Sequence, residues 1–293
     1  VRGGHAQHAR LARMIDVPAV KTYRYLRISM VGAVVLLGVS ILIERTNVDC
    51  WQTSVSAYYY TPVRAIFVGM LMAIGLCLIV IKGSTAWEDA TLNAAGMLAP
   101  IVAVVPTTDV GECWSQSPGR LPIDDDGNLA TWVVANIDNN ITALLITGIA
   151  GLLVAAVIAS VATSNLKAVA EVGDVGMRLG LLAAMVFLLV GAGLFVVWDD
   201  FDTRAHGIAA VLMFFFLALA VGGNARQRRN DPAPRVYFWL YASIAAAMLI
   251  APAVMFPLGS SWRHMVLVLE ATEITLFAVF WLVQTKEHWR ETV

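Results

Sequence analysis

The hydrophobic positions of this chain fall into long blocks separated by short stretches of charge, proline and glycine. A helix needs about 20 apolar residues to cross a hydrocarbon core of about 30 Å. Runs of that order occur at Ile28 to Ile43, Val63 to Ile81, Ala90 to Pro106, Ile141 to Ala162, Leu179 to Trp198, Ala205 to Gly223, Val236 to Phe256 and Met265 to Gln284. The third is interrupted by Asn93, Gly96, Pro100 and Pro106, and neighbouring helices can satisfy the backbone groups that a proline frees. The pattern predicts an all-α, polytopic transmembrane bundle of about eight spans. It forms one domain over residues 28–285, between a basic cytoplasmic segment, 1–27, and a short cytoplasmic tail, 286–293. The first run is followed by Glu44-Arg45-Thr46 with no small-residue cleavage site, which predicts a retained span and not a signal peptide.

Composition agrees with the pattern. The chain is 59% hydrophobic and 14% charged, whereas charged residues make up about a quarter of a soluble domain. A soluble Rossmann or barrel enzyme, a secreted disulfide scaffold and a disordered tail are excluded. With a net charge of -1, nucleic-acid binding has no electrostatic basis either.

The basic residues predict the orientation. With the N-terminal end inside and eight crossings, the inner segments hold Arg2, Arg10, Arg13, Lys21, Arg24, Arg27, Lys82, Lys167, Arg178, Arg226, Arg228, Arg229, Arg235, Lys286 and Arg290. The outer ones hold Arg45, Arg64, Arg120, Arg204 and Arg263. That bias follows the positive-inside rule and predicts both ends on the inner side of a cell membrane. The stretch from Arg2 to Arg27 reads either as a topology-setting flank or as a helix lying along an anionic leaflet. Cys50 and Cys113 fall in the first two outer loops and Cys77 inside the second helix. A Cys50–Cys113 disulfide is expected in that oxidising compartment.

The outer face carries Glu44, Asp49, Asp109, Glu112, Asp124, Asp125, Asp126, Asp138, Asp199, Asp200 and Asp202. Such a face attracts cations, zinc or calcium being the candidate ions, although acids are also what topology tolerates outside. In Trp198-Asp199-Asp200-Phe201-Asp202 and Arg204-Ala205-His206, three carboxylates and an imidazole meet across one tight turn. Asp199, Asp200, Asp202 and His206 are ligand types that would let zinc activate water. A turn capped by acids that pair with Arg204 needs no metal. The segment Asp124-Asp125-Asp126-Gly127-Asn128 resembles a calcium loop, but Leu129 and Ala135 stand where glycine and glutamate are required, so it is not an EF-hand.

On the eighth helix Trp262-Arg263-His264 marks the outer boundary. Glu270 and Glu273 follow about 10 and 14 Å deeper and share a face. Ionisable groups at that depth are functional candidates by default: two close carboxylates suit a proton relay or a general acid, and polar glue between helices is the alternative. A third constellation, Thr53-Ser54-Val55-Ser56-Ala57-Tyr58-Tyr59-Tyr60-Thr61-Pro62, precedes the second helix. Three successive tyrosines cannot share one helical face. Either some pack on the bundle while others line the interface as an aromatic belt, or Ser54 or Ser56 and a tyrosine such as Tyr59, with Asp109 of the next loop, line an outer pocket for a lipid headgroup or an oxyanion. His206 and His264 both lie near the outer boundary, so one haem is geometrically possible. No lysine lies within a span, which excludes a retinal Schiff base, and no phosphate loop or dinucleotide fingerprint is present.

Asp49-Cys50-Trp51-Gln52, then Ser56-Ala57-Tyr58-Tyr59-Tyr60-Thr61 and a helix starting near Phe67, resemble a short segment of alkaline ceramidases and the wider adiponectin-receptor-like membrane hydrolases. The Ala/Val/Gly-rich spans also resemble those of uncharacterised multi-span membrane proteins of actinobacteria, which implies a bacterial inner membrane. The resemblance covers about 25 residues. It implies a zinc held by three histidines and an aspartate that activates water against a lipid amide, with a serine nearby. This chain differs in having only His264 on its last helix and Asn93 and Met97 on its third.

Two functions follow as expectations. One is an outward-facing lipid-processing hydrolase with His206, His264, Glu270, Glu273 and Ser56 as catalytic candidates. The other is a proton- or cation-coupled transporter, or an accessory subunit of a membrane complex, with Glu270 and Glu273 as its intramembrane carboxylates. Membrane lipids are the expected partners.

Overall fold

The computed structural model describes residues 2–111, 113, 122–124, 126–165, 170–229, 235–258 and 262–289, of which 2–20, 159–165 and 170–179 as backbone alone. Glu112, Arg120, Asp125, Lys167 and Arg290, counted above, lie outside the described residues. Among the described residues the chain is helical apart from an isolated bridge between Ile123 and Leu129. The helices are α1 (Arg2–Val48), α2 (Arg64–Val80), α3 (Ala86–Val104), α4 (Thr131–Asn165), α5 (Ala170–Val197), α6 (Phe201–Arg229), α7 (Arg235–Leu258) and α8 (Met265–Glu287). A 3-10 turn, Ser56–Tyr60, sits between α1 and α2.

Among the described residues six helices contain segments long and apolar enough to cross a membrane: 21–48, 131–158, 180–197, 201–229, 235–257 and 265–287. The chain is therefore an integral membrane protein. α2 is apolar but only 17 residues long. α3 opens on Glu88 and Asp89 and contains Pro100, so it is not among the six. It begins four residues before the apolar run because Thr85 caps it, its hydroxyl accepting the Glu88 amide proton at 3.2 Å.

One end of the bundle carries the Cys50–Cys113 disulfide, whose Cα atoms are 5.8 Å apart. Nearly half of the α6 span is buried, against none of 180–197 in α5, so α6 lies at the centre and α5 at the rim. α2 and α3 cross in close contact. A Cβ on Gly75 would lie 2.8 Å from the Gly96 carbonyl oxygen, and one on Gly96 would lie 2.7 Å from that of Gly75, a backbone approach only glycine permits.

At the end opposite the disulfide, α3, α6 and α8 meet on the buried carboxylate of Glu88. It accepts from the Ser84 amide at 2.7 Å and hydroxyl at 2.9 Å, from Asn224 Nδ2 at 2.8 Å and from Gln284 Nε2 at 3.2 Å. Beside it Glu287 accepts from the Tyr241 hydroxyl at 2.5 Å and pairs with Arg228 at 2.8 Å. Without such partners a carboxylate buried this deeply costs several kcal/mol.

Candidate functional site

At the disulfide end the segment from Cys50 to Thr61 is folded against the first turns of α8. The Thr53 carbonyl accepts the Leu267 amide proton at 2.9 Å, satisfying one of the amides that a helix start leaves without a partner. The Gln52 carbonyl lies 3.2 Å from His264 Nδ1. Gly111, at φ 64°, faces Gln52 from the second loop, and a Cβ there would fall 1.8 Å from Gln52 Oε1. The position therefore requires glycine on both counts, which brings Cys113 close enough to bond with Cys50.

The 3-10 turn buries Tyr58 and Tyr59 in the core, so two of the three tyrosines pack on the bundle. Tyr60 is half-buried and its hydroxyl donates to the Thr107 carbonyl at 2.8 Å. Burial pushes all three phenols above their ordinary range, and the neighbouring Arg64 works against this at Tyr59 and Tyr60. Ser54 supports the turn by accepting the Ala57 amide proton at 2.9 Å.

This turn places Ser56 between α6 and α8. Its hydroxyl oxygen is 2.9 Å from Glu270 Oε1 and 2.9 Å from His206 Nε2, and its amide donates to Glu270 Oε2 at 3.0 Å. His206 Nδ1 lies 2.6 Å from the Val105 carbonyl oxygen at the end of α3. Ser56 and His206 are both buried. Four segments remote in sequence thus form one chain: Val105 carbonyl, His206, Ser56 and Glu270.

Donor counting limits its protonation. A carbonyl only accepts, so His206 Nδ1 carries a proton. If the imidazole is neutral, Nε2 accepts the Ser56 proton, and the contact between Ser56 Oγ and Glu270 Oε1 requires Glu270 to donate as a carboxylic acid. If Ser56 donates to a Glu270 carboxylate, Nε2 must donate as well and the ring is an imidazolium. Both arrangements hold the same number of protons and differ by two short hops through Ser56. A neutral ring facing an ionised carboxylate would leave Nε2 and Oε1 competing for the one Ser56 proton, so that one of the two contacts has no donor, which is costly in a buried site.

Ser56 and Glu270 also border a cavity of about 50 Å³ walled by apolar residues of α1, α2, α3, α6 and α8, among them Phe67, Met70 and Phe277. That volume exceeds the roughly 10–15 Å³ a water needs, and Ser56 and Glu270 are the polar groups on its wall.

The other expected site residues are placed differently. His264 is engaged with the Gln52 carbonyl. Glu273 is buried one turn further along α8, with neither carboxylate oxygen hydrogen-bonded. Asp109 accepts the Gly111 amide proton at 3.0 Å and shapes the loop. Tyr59 accepts from Arg64 Nη2 at 2.6 Å.

The turn between α5 and α6 does not gather its four ligand-type residues. Asp200 pairs with Arg204 at 3.0 Å, Asp199 is exposed, and His206 points inward to Val105 and Ser56. Among the described residues no three His, Cys, Asp or Glu side chains are placed to hold a metal ion together. The Val105 carbonyl was not singled out from the sequence, because a backbone acceptor leaves no side-chain signal. Glu88, Asn224 and Gln284 did leave one: each is a polar residue at the end of an apolar run. Comparison with family models, with curated proteins and with solved structures finds no match for the chain.

Proposed function

We propose that this is a multi-pass protein of a bacterial inner membrane that moves protons as part of coupled transport, using the Ser56–His206–Glu270 chain. In this reading all eight helices cross the membrane, with both ends of the chain inside and the disulfide end outside. One observation carries it: Ser56 Oγ bridges His206 Nε2 and Glu270 Oε1 at 2.9 Å each, so that one proton shared by the imidazole and the carboxyl supplies a donor to every contact of the chain. Such a chain delivers a proton from one end to the other without a buried group ever losing its partner. Glu273, one turn deeper, is a carboxylate to which a proton could next pass.

Infrared difference spectroscopy across a pH titration tests the reading. The wild type is expected to show a carboxylic C=O band that vanishes in Glu270→Gln and that changes in step with the imidazole bands of His206. In Ser56→Ala the two sets of bands are expected to titrate separately. Independent titration in the wild type itself would refute proton sharing.

A second reading, the lipid hydrolase, is favoured by the 2.9 Å contact of a serine hydroxyl with an imidazole whose other nitrogen is anchored on a carbonyl, the relation of nucleophile to base. Ser56 Oγ would attack an acyl carbonyl, His206 Nε2 would take its proton and return it to the leaving group, and water would then release the acyl chain. Covalent capture of a fluorophosphonate at Ser56, abolished in His206→Ala, would favour this reading over transport.

A further inference from the structure

A second cavity, of about 600 Å³, lies at the disulfide end between the 3-10 turn, α2, α3 and α4. It shares no lining residue with the cavity beside Glu270. Arg64 stands on its wall, with the guanidinium over the Tyr59 ring, 4.3 Å from the centroid, and one nitrogen donating to the Tyr59 hydroxyl. The side chain is thereby held in one orientation by stacking and a hydrogen bond. Among the described residues no carboxylate pairs with it, whereas Arg45 pairs with Asp49 and Arg204 with Asp200 on the same acidic end. Asn140 on α4 faces the same space. Its oxygen accepts from Asn139 at 3.4 Å, and no acceptor is bonded to its amide protons. Among the described residues no acidic side chain lines the cavity. The site thus offers a fixed guanidinium and a carboxamide donor with no acid beside them among the described residues, which suits an anion with several acceptor oxygens.

The volume exceeds what a bare phosphate would fill and lies within the range of sites for molecules of drug size. Arg64 is the first residue of α2, where that apolar helix meets the polar boundary, the level of lipid headgroups. Immediately along α2, Ala65 and Gly69 are exposed, and a Cβ on Gly69 would meet nothing within 4 Å. That leaves an open apolar slot, one turn apart in its two small residues, leading from the guanidinium along the helix.

We propose that this cavity is a binding site for an anionic glycerophospholipid, with its phosphate on Arg64 and Asn140 and an acyl chain in the slot beside Ala65 and Gly69. The inference rests on Arg64 and its cavity and is independent of the proton-sharing reading.

The full-length protein in detergent tests it with three probes: dioctanoyl phosphatidylglycerol, dioctanoylglycerol and inorganic phosphate. Only the first is expected to raise the melting temperature saturably, as a ligand of the folded state does, and to remain as a one-to-one adduct in native mass spectrometry. Arg64→Gln is expected to weaken binding by about tenfold or more, the scale of losing a hydrogen bond to a charged partner. Tyr59→Phe, which keeps the ring and loses the orienting hydroxyl, should weaken it by a smaller factor, and it stands in should Arg64→Gln not fold. An equal response to dioctanoylglycerol, or an unchanged response in both variants, overturns the proposal. If phosphate alone produces the full Arg64-dependent shift, the site binds a free anion and the lipid assignment falls.

Discussion

Glu270→Gln is the sharpest probe of how the buried chain holds its proton. A glutamine in the same rotamer presents an oxygen to the Ser56 amide in place of Oε2 and an NH2 group to Ser56 Oγ in place of Oε1. Ser56 then donates to His206 Nε2 and His206 Nδ1–H to Val105. The carboxamide therefore keeps the contacts of the protonated acid and adds one further N–H, and the expected change in stability is below about 1 kcal/mol, the centre of the range for point substitutions. Ser56→Ala behaves in the opposite way. It removes both contacts of the hydroxyl and leaves Glu270 Oε1 and His206 Nε2 buried without that partner. Hydrogen bonds between membrane helices average about 0.6 kcal/mol, and a buried polar group left unsatisfied costs about 1–3 kcal/mol, so the loss should lie at about 1–4 kcal/mol. Titration with sodium dodecyl sulfate in mixed micelles, followed by far-UV circular dichroism, measures both. If Glu270→Gln costs as much as Ser56→Ala, the resting pair is an imidazolium and a carboxylate, and the neutral arrangement is wrong.

Two further predictions concern the scaffold. Cys50→Ser with Cys113→Ser should cost about 4 kcal/mol, from the chain-entropy cost of opening a loop whose cysteines are 63 residues apart; the same denaturation series, or reduction of the wild type, gives the value. Gly96→Val should be destabilising by at least about 2 kcal/mol because its Cβ meets the Gly75 carbonyl at 2.7 Å. Gly191→Ala, whose Cβ meets nothing within 4 Å, should be silent in the same assay.

The helices were legible in the sequence because burial in lipid demands unbroken apolar runs, and α8 begins at Met265, where its run does. Boundaries slipped where polar residues decide them: α3 starts early on the Thr85 cap, and α1 extends back to Arg2 through a basic stretch without apolar character. Ser56, His206 and Glu270 could each be marked from composition alone, as a serine, an imidazole and a carboxylate near an apolar boundary. Their meeting could not, since it depends on a 3-10 turn held by Ser54 and on loop contacts with α8. His206 shows why local spacing misleads. It lies four residues from Asp202 and six from Asp200, yet the helix turns its ring away from Asp200, which Arg204 engages instead. Glycines differ likewise: neither Gly191 nor Gly193 has a neighbour within Cβ reach, and the close backbone approach is made by Gly75 and Gly96.

His206 and Asn224 are 18 residues apart on α6, which is five full turns, so both project from the same side of the rod about 27 Å apart. Each is inserted into a polar cluster shared with α3 and α8: His206 with Val105 and, through Ser56, Glu270; Asn224 with Glu88 and Gln284. The helix is therefore keyed at both ends in a single angular position, like a shaft with two pins. Turning it about its axis withdraws both pins together, while tilting it can free one and leave the other seated.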